Sequence, residues 1–131
     1  MFTRMRRLAW AAGATAAAVL AMAAAAAVAE EPISFKEDVA PIIQIRCLEC
    51  HQPGGDGFVQ SGLDLSSYTG VMKGTKFGPV VVPGDALTSN FLVVVDGRAS
   101  QAIRMPHERK KLTKCEIDIL RRWVNSGAKN N

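Results

Sequence analysis

Five consecutive residues, Cys47-Leu48-Glu49-Cys50-His51, carry the chemistry that the rest of the chain must position. Two cysteines three apart, followed at once by a histidine, form the attachment pattern for c-type haem. Each thiol adds across one vinyl group at the porphyrin edge, so the pair gives two thioether bonds. The histidine then lies under the ring, where its imidazole is placed to bind the iron as proximal ligand. A zinc site is the competing reading, but it takes about four nitrogen or sulfur ligands. Outside the motif the chain offers only Cys115 and His107. Haem attachment is the better reading.

The sixth coordination position decides what the iron does. A thioether there raises the reduction potential and gives a low-spin electron carrier, whereas an open position binds small ligands. Met105 comes 54 residues after His51, far enough for the chain to wrap to the opposite face, and Pro106 stiffens the backbone beside it. Met72 sits at helical spacing among apolar residues, where methionine more often fills a gap in the core. His107 binds iron well in principle, but Glu108, Arg109, Lys110 and Lys111 follow it and mark a solvated surface. Met105 is the expected distal ligand. No serine or carboxylate cluster with catalytic spacing is visible.

The elements that must hold these groups follow from patterning. Ser34-Phe35-Lys36-Glu37 fits a capping box and opens a helix running to about Cys47, with Val39, Ile42, Ile43 and Ile45 on its apolar side. Pro41 is tolerated only in a first turn, so a later start with Asp38 as cap is expected. Residues 52–57 read as a loop, and Gly62 to Leu65 as briefly extended. Ser66 or Ser67 caps a short helix ending near Gly74, with Tyr68, Val71 and Met72 on one face and Gly70 against it. Residues 78–84 are extended, but their prolines argue against a sheet. Ser89 caps another short helix over 90–95, and 98–112 form a polar loop. Thr113-Lys114-Cys115-Glu116 is a second capping box, and Ile117, Leu120, Trp123 and Val124 recur at three and four until Gly127 stops the helix. Phe58, Leu65, Tyr68, Phe77, Leu92 and Trp123 are the residues expected to pack in the core or against the haem. Trp123 is expected in the core against the first helix.

Residues 1–29 stand apart. Arg4, Arg6 and Arg7 precede an apolar run from Leu8 to Val28, and Ala27-Val28-Ala29 makes a small-x-small cleavage site. This is the architecture of a secretory signal peptide, with an uncleaved membrane anchor as the alternative. The compartment is extracytoplasmic, periplasmic or equivalent. Cleavage leaves residues 30–131 as one domain with 13 basic against 12 acidic residues, a net charge of +1 that gives no support to a nucleic-acid partner. A domain this small is marginal on its own apolar side chains, so a haem would be cofactor and core at once.

From Phe35 to Ala128 the chain resembles a small class I-type cytochrome c, in particular the monohaem cytochrome c-like modules of bacterial exported proteins. The matching stretches are Asp38-Val39-Ala40-Pro41-Ile42, Cys47 to His51, Gly62-Leu63-Asp64-Leu65, Gly78 to Asp85, Arg104-Met105-Pro106, and Leu112-Thr113 through Arg121-Arg122-Trp123. The resemblance implies an all-α fold of three to five short helices around one haem c, held through Cys47 and Cys50. It further implies first and last helices crossing beside the haem and a methionine as distal ligand. The expected activity is transfer of single electrons between redox proteins. A ligand sensor, a peroxidase-like module or a haem subunit of a larger dehydrogenase or oxidase are the alternatives. Cys115 departs from the family, which usually carries an acidic or other polar residue there. Arg104, Arg109, Lys110, Lys111 and Lys114 form a basic cluster suited to docking an acidic redox partner, if their loop borders the haem edge.

Overall fold

The structure, a computed structural model, describes residues 31–131, so the export segment expected at 1–29 lies outside the described residues. Ser34 opens the first helical segment, its hydroxyl accepting the Glu37 N–H at 3.2 Å. The turn that follows, Phe35–Val39, is π-helical and one residue wider than an α turn. The extra residue moves the reciprocal contact along by one, so that Asp38 rather than Glu37 accepts the Ser34 N–H, at 2.8 Å. Helix α1 (Ala40–Arg46) then begins with Pro41 in its first turn, where no donor is lost. The later start is right for α1 alone. Asp38 is not its cap.

Helix α2 (Asp56–Ser61) takes the last two residues of the loop expected over 52–57 and fills 58–61, where no element was expected. It buries no residue, so nothing periodic announces it. Helix α3 (Tyr68–Lys73) is capped by Ser67, whose hydroxyl accepts the Gly70 N–H at 3.1 Å. Gly70 is there for closeness: a β-carbon on it would stand 2.2 Å from the Asp64 carbonyl oxygen. Helix α4 (Asn90–Val95) has the expected span, but Ser89 does not cap it through its side chain. That buried hydroxyl accepts from Val82 N–H at 2.8 Å and donates to the Asp85 carbonyl at 2.7 Å, binding the extended stretch to the helix. After a 3-10 turn (Gln101–Ile103), helix α5 (Lys114–Asn125) starts with both halves of its capping box formed.

The described residues hold no strand, only an isolated bridge between Thr75 and Gly78. The expected all-α class is what the described residues adopt. Its centre is Trp123, wholly buried on α5, with the Phe35 ring 5.5 Å away and Tyr68 edge-on to Phe35 at 5.1 Å. Burying side chains of this size stabilises by about 1.5–3 kcal/mol each. Leu65 and Leu92 join the core and Tyr68 packs against it half-buried, whereas Phe77 is 83% exposed and is corrected as a core residue.

The polar tips in this core are satisfied by the C-terminal segment. The Trp123 indole donates to the Lys129 carbonyl and the Tyr68 hydroxyl to the Ala128 carbonyl, each at 2.9 Å. Asn131 closes the ring by accepting from Ser34, Phe35 and Lys36 at 2.8 to 3.1 Å. First and last helical segments are thereby locked together, as expected of Trp123 and the first helix.

Candidate functional site

The cysteine–histidine motif is an irregular continuation of α1. The N–H groups of Cys47 and Leu48 both reach the Ile43 carbonyl at 2.9 Å, and those of Cys50 and His51 reach the Cys47 carbonyl at 3.2 and 3.0 Å. The outgoing carbonyls are used too. Cys50 accepts from Phe58 of α2 at 2.9 Å, and His51 accepts from Leu65 at 2.8 Å. The motif backbone is therefore fixed from both sides by hydrogen bonds that leave its side chains free to react.

Cys47, Cys50 and His51 are each half-buried, and neither cysteine is in a disulfide. Burial pushes the Cys47 thiol up to about 11, with Arg46 opposing and Glu116 and Cys50 adding to it. Burial likewise lowers the His51 pKa, favouring the neutral imidazole that binds metal, while the Leu63 carbonyl pulls the other way. The Leu63 contact does not complete a hydrogen bond to Nδ1, which is buried without a partner.

These residues fit a covalently held haem on three observations. Two thiols and a neutral imidazole are the donor set it needs. The His51 ring lies against Gly57, where a β-carbon would fall 2.8 Å from Cε1 and 2.9 Å from Nε2, so only glycine leaves space beside that edge of the imidazole. Arg104 has a buried Nε with no partner, the kind of group a haem propionate would satisfy. Zinc would need ligands gathered from several places. Among the described residues, no group of three or more His, Cys, Asp or Glu is so gathered.

Met105 is half-buried against the core, and its N–H donates to the Val94 carbonyl of α4 at 2.8 Å. Met72 is half-buried on α3, so burial ranks the two methionines alike. His107 is exposed, as its charged neighbours implied. Cys115 is also exposed, in the first turn of α5.

Two arginine–glutamate pairs join the motif to the segment that follows Met105, and neither was foreseen from sequence. Arg46 approaches Glu116 with Nε 2.9 Å from Oε1, but off the hydrogen-bond direction. Its Nη2 makes the hydrogen bonds, to Glu116 Oε2 and to the Lys111 carbonyl, each at 3.1 Å. Glu49, inside the motif, takes a two-pronged contact from Arg109 at 2.5 and 2.7 Å. That contact holds the Glu49 carboxyl below the usual carboxylate range and raises the Arg109 guanidinium. Within the basic cluster Arg109 is therefore spoken for, while Lys110, Lys111 and Lys114 are exposed. Among the described residues no helix is long and apolar enough to cross a membrane.

Residues 47–108 match the model of the family described as Planctomycete cytochrome C. That stretch runs from the first motif cysteine past Met105 and His107. No curated protein and no solved structure matches the chain.

Proposed function

We propose, from the premise that residues 47–108 are a cytochrome c family segment, that the protein is a monohaem c-type cytochrome passing single electrons between redox proteins outside the cytoplasm. The observation that carries the reading is the motif turn itself. Cys47 and Cys50 stand one helical turn apart just past the end of α1, and His51 follows with a half-buried imidazole whose pKa burial lowers, favouring the neutral form. Cys47 and Cys50 would hold one haem through thioethers, and His51 would be the proximal ligand. When bound, the haem supplies a one-electron couple at its iron.

The chain's own residues do the rest. Ile43, Leu65 and their core neighbours exclude water beneath the motif. Met105, pinned by its backbone to α4, supplies the thioether that favours the ferrous state. Arg104 offers a cation whose Nε lacks a protein partner, available to a propionate. Lys110, Lys111 and Lys114 face solvent and would steer encounter with an acidic partner, at rates that fall with added salt. The leader at 1–29 accounts for export, and the family reading agrees with a compartment where haem is attached after secretion.

The test is an absorption spectrum of protein made with haem-attachment machinery, oxidised and reduced, then with carbon monoxide. A low-spin spectrum with the thioether–iron band, unmoved by carbon monoxide, is the expected result. A high-spin spectrum that shifts readily with carbon monoxide would give the lead to a sensor or peroxidase-like module.

A further inference from the structure

The segment carrying Met105 is held at both ends by contacts of different kinds. At one end the Met105 N–H is bonded to the Val94 carbonyl of α4. At the other, four residues on, Arg109 grips Glu49 with both guanidinium prongs. Glu49 sits between the two cysteines that would carry the haem, sixty residues away in sequence. Four residues of extended chain reach about 14 Å at most. Whatever Met105 does, it does within that distance of a residue anchored to the haem-attachment turn. The next stretch is fastened too, by Arg46 to the Lys111 carbonyl and to Glu116.

We infer that Glu49 and Arg109 form a clasp that keeps the Met105 segment seated on the haem-attachment turn, and so holds the distal ligand at the iron. The inference rests on the His51/Met105 reading proposed above. Glu49 and Arg109 are positioning residues: they touch neither haem nor iron ligand in this role, and act through the reach of the loop. The pair is half or more exposed, with side chains 53% and 71% accessible, so the effect is modest. Arg46–Glu116 is better shielded at 18% and 24%, but Glu116 also caps α5, which makes it the poorer test of a clasp.

The experiment measures imidazole affinity of the ferric holoprotein, because imidazole binds only where the distal side chain has let go. The variants are Glu49→Gln, Arg109→Gln and the charge swap Glu49→Arg with Arg109→Glu. Each single variant should bind imidazole about two- to fivefold more tightly, with a weakened thioether–iron band, and the swap should return both towards wild type. Arg109→Gln lies outside the attachment motif, so its result stands even where Glu49→Gln lowers haem incorporation. Equal imidazole affinity in all four proteins, with the thioether band present in wild type, would overturn the clasp alone. A wild type without that band would overturn the Met105 assignment and the clasp with it.

Discussion

The Phe35 ring lies 5.5 Å from the Trp123 indole, tilted by 43°, and so joins the first helical segment to the last. The two residues are 88 apart in sequence, and their contact is the centre on which the motif-bearing α1 rests. Trp123→Ala removes a wholly buried side chain and frees the Lys129 carbonyl from its indole donor. The expected loss is about 3–5 kcal/mol, read as a lower denaturation midpoint of the holoprotein in urea. A loss below about 1 kcal/mol would mean that the haem contacts, and not this aromatic pair, hold the ends together.

Met105 and Met72 are equally half-buried but differ in what their removal should do. Met105→Ala is expected to abolish the low-spin His/Met spectrum while the haem stays covalently attached. Met72→Ala should leave that spectrum in place and cost about 1–2 kcal/mol of stability, as a partly buried core side chain. The reverse pattern in the two spectra would exchange their roles.

Gly57 sits where α2 passes the His51 ring. Its replacement by alanine puts a β-carbon 2.8 Å from Cε1 and 2.9 Å from Nε2, so the imidazole must turn or α2 must move. Overpacking of this kind costs about 1–3 kcal/mol. Gly57→Ala should lower the fraction of low-spin haem without lowering thioether content, measured by pyridine haemochrome against protein mass. An unperturbed spectrum would show that the ring has slack on that side.

Burial of Cys47 has a pH consequence in polypeptide that carries no haem. Its thiol titrates near 11 in the fold against an ordinary 9.0, so the folded form keeps its proton longer than the unfolded one. The stability this contributes is whole below about pH 9 and is lost as pH rises through 11. Iodoacetamide labelling resolved by mass spectrometry should therefore reach exposed Cys115 first, with Cys47 lagging until pH approaches 11. Equal labelling of Cys47 and Cys115 at pH 8 would contradict the burial.

What could be read in the chain divides along a physical line. Short-range rules were enough where a pattern is local: the Thr113 capping box and the spacing through Val124 gave α5, and the cysteine–histidine spacing gave the attachment turn. The π turn at Phe35 obeys no pattern of 3.6, so the Ser34 cap was visible while the partner acid was misplaced by one residue. Helix α2 buries nothing and leans on the Cys50 carbonyl, leaving no apolar rhythm to find. Ser89 has the right type and place for a cap, yet tertiary contacts with Val82 and Asp85 claim its hydroxyl. Phe77 has the residue type of a core or haem-facing side chain, and type alone does not say that the protein core leaves it 83% open to solvent. The Glu49–Arg109 and Arg46–Glu116 pairs span sixty and seventy residues, and charges that far apart announce no partner in one sequence.

Asn131 returns the chain to where its helical part begins. Its backbone and side-chain oxygens take the donors of Ser34, Phe35 and Lys36, and its amide reaches the Ile33 carbonyl at 3.4 Å. Both exits of the domain therefore open at one pole. A tether running in through residue 31 and any tail added after residue 131 would emerge side by side, like two leads from a single terminal.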